Sequence, residues 1–347
     1  MFTFSARLWA AAGCAVISYL AYSTQTYFTT QLPKAAFRAS RLTPSTFLIT
    51  EYNDIFSEHP FIYAKVVPSA NTILIIDTGC GGLSNDTDIE ITSLRKFIES
   101  ANVKDNNGAP INEGGKMGYV VALTHVHYDH ILAVEDFKDW PILASAHSPS
   151  FLEKDAIPEH SICNALNLTT PQYTPTLVPH MHNILSSDAD KKPLGMTILH
   201  TPGHTPDEIA LYDEVEKMLY VGDSLYEWEP IIFPKEGSIA TWFSSMDYLI
   251  SFVEEKNSVL QGSDDKGQAP SEILINSGHC TARQPALDVL IKAKYFMEDV
   301  VAGKEEVKER GWSRGEATVM YGKTGDRFSL RCPERLVHEA QNVMRND

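Results

Sequence analysis

The sequence has few cysteines, a deficit of basic residues and, beyond residue 35, no long apolar run. Five cysteines in 347 residues are too few for a disulfide scaffold. Lys and Arg total 29 against 45 Asp and Glu, a formal net charge of −16, and this disfavours nucleic-acid binding because each phosphate contact requires a Lys or Arg. No apolar run after residue 35 approaches the ~20 residues of a membrane span. A hydrophobic content of 43% with 10% aromatics is typical of a folded globular protein.

The N-terminus differs from the rest. Arg7 precedes an apolar stretch over residues 8–22, and no charge occurs between Arg7 and Lys34. Roughly 15 apolar residues, followed by the small-x-small site Ala21-Tyr22-Ser23, are typical of a signal peptide. We therefore predict that residues 1–23 are a signal peptide or membrane anchor, so that the protein is secreted or membrane-anchored and contacts a membrane only if the anchor is uncleaved. A buried N-terminal helix in a cytoplasmic protein is the alternative.

The remaining chain is predicted to comprise a linker over residues 24–44 and one domain over 45–347 that ends in helices. Apolar runs rich in β-branched residues alternate with amphipathic stretches. Strands are predicted at 46–50, 61–67, 71–79, 119–124, 140–145, 196–201, 208–213, 217–223 and 272–278, and helices at 89–101, 238–256, 285–309 and 333–345. Ser238 is expected to cap its helix, and 155–190 is expected to be a long loop. This order indicates an α/β layered domain in which two sheets pack together with helices outside.

The strongest functional signal is Thr124-His125-Val126-His127-Tyr128-Asp129-His130, which begins where an apolar strand ends. Buried imidazoles and carboxylates need partners, so the cluster is unsuited to an ordinary core. Neutral imidazoles and carboxylates are ligands that Zn²⁺ accepts. His125 and His127 are two residues apart and point the same way in extended chain, so that they can bind one ion. Asp129 and His130 come after the turn and can reach a second ion.

Two ions need further ligands, and three more candidates follow in order. His204 lies in a tight turn after a predicted strand, Asp223 ends the run KMLYVGD, and His279 directly follows EILINSG. Each lies where a strand ends, so all of them can converge at one sheet edge. The joint pattern predicts a metal site that each residue alone would not.

This set of residues resembles the metallo-β-lactamase superfamily over roughly residues 45–282. The matching residues are Asp77 in IIDTG, the cluster His125, His127, Asp129 and His130, and then His204, Asp223 and His279. The resemblance implies a four-layer αββα sandwich with a site for two Zn²⁺ ions. It further implies that one ion takes His125, His127 and His204, that the other takes Asp129, His130 and His279, and that Asp223 bridges them. Asp77 would be the carboxylate that orients the ligand loop.

Two segments resemble the metal-dependent lactonases: 200–206 (HTPGHTP) and 223–226 (DSLY). In those enzymes a tyrosine three residues after the bridging aspartate faces the substrate carbonyl, and Tyr226 matches it by position. Packing beside the site is the alternative role for Tyr226. The sequence departs from that pattern at Ile131-Leu132-Ala133, where small residues are common, and in the long segment between His130 and His204.

The function implied is hydrolysis of a cyclic ester or cyclic amide (a lactone, lactam or cyclic carbamate) by attack of a metal-bridging hydroxide on a small-molecule substrate. Asp129 would orient the nucleophile, and Tyr226 would help to stabilise the oxyanion. The alternatives are a thioesterase resembling glyoxalase II, a nuclease, a di-iron oxidoreductase and a metal-binding protein without catalysis. The charge balance disfavours the nuclease, and the His-rich ligand set disfavours iron.

Three remaining features are interpreted as structural. His180-Met181-His182 lies in the Pro-rich segment without an accompanying carboxylate or cysteine, which favours a surface loop over a second metal site. Cys80 and Cys280 occur close in sequence to Asp77 and His279, but no base is visible that would activate either thiol. A structural role or a redox-sensitive pair are the two interpretations left open for them.

Overall fold

The computed structural model describes residues 33–262 and 272–345. The predicted signal peptide or anchor, residues 1–23, lies outside this range. Within the part of the chain that the structure describes, no helix combines the length and apolarity that crossing a bilayer requires.

The first sheet contains seven strands, which lie in chain order from one edge to the other. They are β1 (Phe37–Arg41), β2 (Thr46–Glu51), β3 (Phe61–Val67), β4 (Thr72–Ile76), β5 (Gly118–Ala122), β6 (Ile142–Ser145) and β7 (Thr176–Val178). Strands β1 to β4 are antiparallel and β4 to β7 are parallel. The predicted linker over 24–44 is therefore wrong at its C-terminal end, because β1 pairs with β2 inside the domain.

The second sheet has six strands in the order β14-β13-β11-β10-β9-β8. They are β8 (His182–Leu185), β9 (Pro193–His200), β10 (Ile209–Asp213), β11 (Met218–Tyr220), β13 (Leu274–Asn276) and β14 (Gln284–Pro285). Strands β11 and β13 are parallel, so both of their carboxyl ends lie at one edge of the sheet. The segment 155–190, predicted to be a loop, contains two short helices and strands β7 and β8.

In the described residues, seven α-helices connect and cover the sheets. They are α1 (Leu94–Ser100), α2 (Tyr128–Ile131), α3 (Ile157–His160), α4 (Cys163–Leu166), α5 (Ile239–Gly262), α6 (Ala286–Val301) and α7 (Glu334–Met344). The predicted cap of α5 is confirmed, because Ser238 Oγ accepts a hydrogen bond from the Thr241 N–H at 3.2 Å.

The two sheets pack face to face, and helices cover their outer faces. Leu74 and Val120 from the first sheet share a buried cluster with Ile198 and Leu211 from the second. Residues of β4 also pack outward against α1, which explains why β4 is apolar throughout. The outer face of the second sheet packs on α5, α6 and α7. The predicted αββα sandwich is confirmed.

A third sheet was not predicted. Its order is β12-β17-β16-β15, formed by β12 (Pro230–Ile232), β15 (Val307–Ser313), β16 (Glu316–Tyr321) and β17 (Ser329–Pro333). The helix predicted over 285–309 ends at Val301, and β15 begins within its range. The error arises because the largely exposed β15 carries charged residues and no clear apolar alternation, a pattern that an exposed helix face also shows.

All four cysteines in the described part of the chain are free thiols. Burial raises the pKa of both Cys80 and Cys280, which disfavours the reactive thiolate at either position.

Candidate metal centre

The seven predicted ligands converge at one edge of the sandwich and form two groups. Within each group, ligand atoms lie within 4.8 Å of one another and every residue is buried. One group contains His125, His127 and His204, and the other contains Asp129, His130, Asp223 and His279. Each residue follows the end of a strand or lies in the short helix α2, as the sequence indicated. That they bind metal remains a prediction.

In the three-histidine group, ring nitrogens point at a common centre. His127 Nδ1 lies 3.0 Å from His125 Nε2 and 3.0 Å from His204 Nε2. Burial lowers the pKa of His127 to about 3 and also lowers the pKa of His125 and His204. The three imidazoles are therefore neutral, which is the form that coordinates a cation.

The second group mixes carboxylates with imidazoles. His279 Nε2 lies 3.3 Å from Asp129 Oδ2 and 3.5 Å from Asp223 Oδ2, and His130 Nε2 lies 3.4 Å from Asp223 Oδ1. Asp223 Oδ2 also lies 4.0 Å from His204 Nε2 in the first group. Asp223 is thus the residue placed between the two groups, as the predicted bridging role requires.

In the second group, the charges of neighbouring side chains shift the pKa values in the direction opposite to burial. Burial by itself would lower the pKa of His130 and His279, but the negative charge of Asp223 raises both well above the usual range. Burial would likewise raise the pKa of Asp223, yet the neighbouring imidazoles lower it well below its usual value. A divalent cation among these side chains would replace the protons as the positive charge that balances the carboxylates.

Three of the ring nitrogens that face away from the two centres are held by the surrounding chain. His130 Nδ1 lies 2.8 Å from Asp77 Oδ2, His204 Nδ1 lies 2.7 Å from the Ile232 carbonyl, and His279 Nδ1 lies 2.9 Å from the Glu58 carbonyl. Such outer contacts fix the ring orientation and the tautomer of metal-binding histidines.

The residues present fit a metal. Two buried atoms that face each other in the second group, His130 Nε2 and Asp223 Oδ1, make no hydrogen bond within the described chain. Unsatisfied buried groups are costly, and their concentration where ligand atoms converge is what a cation site requires.

Asp77 connects the first sheet to the site. Its carboxylate accepts hydrogen bonds from the Thr124 N–H and the Thr124 hydroxyl, both at 2.7 Å, besides contacting His130. The residue adopts φ +59°, a left-handed conformation that is uncommon outside glycine, directly after β4. These contacts stabilise the strained turn and place the carboxylate behind the ligand loop.

We expect Asp77→Asn to weaken metal binding by about 10- to 100-fold while the fold is retained. The amide keeps the size of the carboxylate but cannot accept at both positions from Thr124 and also from His130. Competition titration with a chelator measures the affinity, and Asp105→Asn, a change in an exposed segment, is the control. Unchanged affinity in Asp77→Asn would exclude the orienting role.

A cleft of about 880 Å³ opens over the two groups. Tyr226 lines it, with its ring 5.4 Å from the His279 ring between centroids, and it is only 4% exposed. The Tyr226 hydroxyl accepts a hydrogen bond from the Ile232 N–H at 3.2 Å. Tyr226 therefore borders the site, a position that allows both the oxyanion role and the packing role considered for it.

Comparison with known proteins agrees with this geometry. The sequence profile of the metallo-β-lactamase superfamily matches residues 66–259. The chain belongs to the metallo-β-lactamase superfamily. Together with the two ligand groups, this membership identifies the chain as a metallo-hydrolase of that superfamily.

Relatives within the superfamily differ in name. The chain is 29% identical over 314 residues to "Putative transcription factor avaE" of Aspergillus versicolor, covering 88% of this chain and 89% of that protein. It is 24% identical over 190 residues to the acyl-coenzyme A thioesterase MBLAC2 of Gallus gallus, and 27% identical over 158 residues to an N-acyl homoserine lactonase of Bacillus sp.. These two alignments cover 52% and 42% of this chain, and only 64% and 54% of the relatives.

Several residues at the site were not predicted. Glu208 is fully buried, accepts a hydrogen bond from the Asp223 N–H at 2.9 Å and lies 3.8 Å from His125 Nδ1. Adjacent carboxylates, Asp207 and Glu208, directly before a buried strand were a signal that could have identified it. Glu58 could not have been found, because its carbonyl contacts His279 across a separation of 221 residues. His180 and His182 lie outside both ligand groups.

Proposed function

We propose that the chain is a zinc-dependent hydrolase that opens a lactone, a lactam or a cyclic carbamate, with a small molecule as substrate. One zinc ion would be held by the three-histidine group and one by the second group, with Asp223 between them. Donor sets that are rich in imidazole suit zinc better than iron, which is why zinc is preferred to a di-iron centre.

The observation that carries the choice of substrate is the charge on the cleft wall. Three Lys and Arg side chains line the cleft, and each already has a glutamate partner. Lys235 Nζ lies 2.6 Å from Glu159, Arg314 lies 2.9 Å from Glu236, and Arg331 lies 3.5 Å from Glu309. Unlike a cleft with unpaired cations, this wall favours an uncharged substrate over a polyanionic one.

Tyr226 supports attack on a carbonyl group. Burial raises its pKa well above the usual value, so the hydroxyl keeps its proton and can donate it in a hydrogen bond. The Ile232 N–H occupies one acceptor position, which helps to hold the oxygen in place and leaves the proton available for donation. A fixed donor beside the metal groups can stabilise the negative charge that develops on a carbonyl oxygen during attack.

When bound, the zinc ions supply Lewis acidity and lower the pKa of water toward neutrality. Asp129 lies beside His279 at the cleft floor, where its carboxylate can orient the attacking water through a hydrogen bond. Water adds across the acyl C–O or C–N bond of the ring. A lactone then yields a hydroxy acid, a lactam yields an amino acid, and a cyclic carbamate yields an amino alcohol after loss of CO2. No covalent intermediate is needed, and the Cys280 thiol in the cleft is not activated, since burial raises its pKa.

A thioesterase is the second candidate, because three relatives carry that name. An acyl-coenzyme A substrate carries several phosphate charges. The arginines and the lysine of the cleft are already paired with glutamates, so they provide little positive charge to bind these phosphates. Nucleic acid is a less suitable partner still, given the net charge of −16, although another relative is named as a transcription factor.

Two measurements on the purified protein test this proposal. Metal analysis should find close to two equivalents, mostly zinc, and a panel of lactones, lactams, cyclic carbamates and thioesters should show turnover of the cyclic substrates. Chelation should abolish that turnover and zinc should restore it. Turnover of thioesters alone would replace the proposal with the second candidate, and an iron-dominated content would contradict the zinc assignment.

Tyr226→Phe is expected to lower kcat for ring opening by about tenfold and to leave the metal content unchanged. Losing a well-aligned oxyanion donor costs roughly 10²–10³ in kcat, but a metal ion would share the oxygen here, so the effect should be smaller. Steady-state kinetics should place the loss in kcat rather than only in KM, because the hydrogen bond strengthens as charge develops. Wild-type rates in this variant would assign Tyr226 to packing.

A further inference from the structure

The third sheet contributes to the wall of the cleft. Residues of β15, β16 and β17 line the cleft together with the end of β12 and with α4. A cavity of about 880 Å³ has room for much more than a single five-membered ring. The part of the cleft beyond the metal groups must therefore accommodate the rest of the substrate.

The mouth of the cleft is apolar. Trp312 on β15 is 74% exposed, Leu166 at the end of α4 is 41% exposed and Ile232 at the end of β12 is 40% exposed, and all three line the cleft. Apolar side chains exposed together around a concave site are typical of ligand-binding surfaces. An indole is suited to stacking against another flat ring, and aromatic pairs are stabilised beyond the area that they bury.

The hairpin that carries Trp312 is fastened at its tip. Arg314 and Gly315 form the two-residue turn between β15 and β16 with φ +46° and φ +85°, as a tight hairpin turn requires. The Arg314 guanidinium donates two hydrogen bonds to the Glu236 carboxylate, at 2.9 and 3.0 Å, and lies 3.4 Å from Glu159 Oε1.

These contacts of Arg314 hold the tip of the hairpin in place. Glu159 lies on α3 and Glu236 follows β12, so Arg314 joins the hairpin to two other segments of the cleft rim. Bidentate arginine–carboxylate pairs hold one geometry. The fastened tip keeps Trp312 at the mouth of the cleft and lowers the entropy that substrate binding would otherwise cost.

We propose that the β15–β16 hairpin is a specificity element in which Trp312 stacks on a planar aromatic group attached or fused to the reacting ring of the substrate. This inference rests on the proposed ring-opening function and adds the substrate class to it. An aromatic lactone, lactam or cyclic carbamate is neutral and so matches the paired charges of the wall, and Trp312 lines the same cleft as the metal groups.

Three lactones test the proposal. Phthalide has a benzene ring fused to the lactone, γ-octalactone has the same total number of carbons but carries an alkyl chain instead of the benzene ring, and γ-butyrolactone is the bare ring. We expect Trp312→Ala to lower kcat/KM for phthalide about tenfold, mainly through KM, and to change the value for γ-butyrolactone less than about twofold. Trp312→Phe should retain most of the preference. Tyr295→Ala, which removes an exposed aromatic residue on α6 outside the cleft, is the control.

Arg314→Gly tests the fastening separately. Glycine adopts φ +46° more readily than arginine, so the turn is kept while both glutamate contacts are lost. We expect a severalfold rise in KM for phthalide and a smaller rise for γ-butyrolactone. The change loosens the indole, which only the aromatic substrate would contact, and it also removes one charge of the cleft wall, which both substrates would meet.

The outcomes separate this inference from the proposed function. Equal phthalide preference in wild type and Trp312→Ala, or equal losses for phthalide and γ-octalactone, would overturn the aromatic assignment while ring opening stands. If the protein hydrolyses thioesters but not lactones, the aromatic and the non-aromatic lactone are replaced by S-methyl thiobenzoate and S-methyl thioacetate. A Trp312-dependent preference for the benzoyl thioester would then support the specificity element, although the proposed ring-opening activity would be contradicted. Turnover of none of these substrates, and of no lactam or cyclic carbamate in the panel, would overturn both.

Discussion

Asp223→Ala is expected to lose both metal ions together and to lower kcat/KM by about 10³-fold or more. The reason is its position, since its two carboxylate oxygens lie 3.4 Å from His130 Nε2 and 3.5 Å from His279 Nε2, and one of them lies 4.0 Å from His204 Nε2. Asp129, the other carboxylate among the seven predicted ligands, contacts His130 and His279, which both belong to its own group. Metal analysis after dialysis, together with steady-state kinetics, measures the effect.

His204→Ala is the matched comparison for that experiment. His204 belongs to the three-histidine group alone, so its removal should weaken one equivalent of metal much more than the other. His204→Ala should retain one tightly bound equivalent of metal. If Asp223→Ala also retained one, the shared role of Asp223 would be contradicted.

Gly278→Ala should lower kcat/KM by about 10²-fold or more, although Gly278 is not a ligand. A methyl group at this position would lie 2.2 Å from Asp223 Oδ1 and 2.8 Å from His130 Cε1. The side chains would have to move, and displacing reacting groups by about 1 Å can cost roughly 10²-fold. The metal content should fall in parallel.

The neighbouring change Ser277→Ala is the control for Gly278→Ala. The Ser277 hydroxyl is buried and makes no hydrogen bond within the described chain, so its removal breaks nothing there. Thermal unfolding should show that both variants are folded. Wild-type activity and metal content in Gly278→Ala would mean that the turn can shift without disturbing the ligands.

The sequence alone determined the strands that lead to the site and the residues that gather there. Buried parallel strands need continuous apolar runs such as β4 and β5, and these are visible without the structure. A polar residue that follows such a run lies at the sheet edge, so His125, Asp223 and His279 could be placed together from local pattern. The resemblance to the superfamily then assigned them to two ions, and the structure groups them in that way.

Only the tertiary structure decided which groups orient the histidines and which residues form the cleft wall. The Ile232 and Glu58 carbonyls contact His204 and His279 as backbone groups, which no residue type reveals. Arg314 reaches Glu159 across 155 residues, and the charged strand that carries Trp312 has no apolar period of its own. The pattern of apolar and polar residues within one segment indicates which side of that segment packs against the core. These contacts depend on how distant segments meet each other, and that is settled only when the whole chain packs.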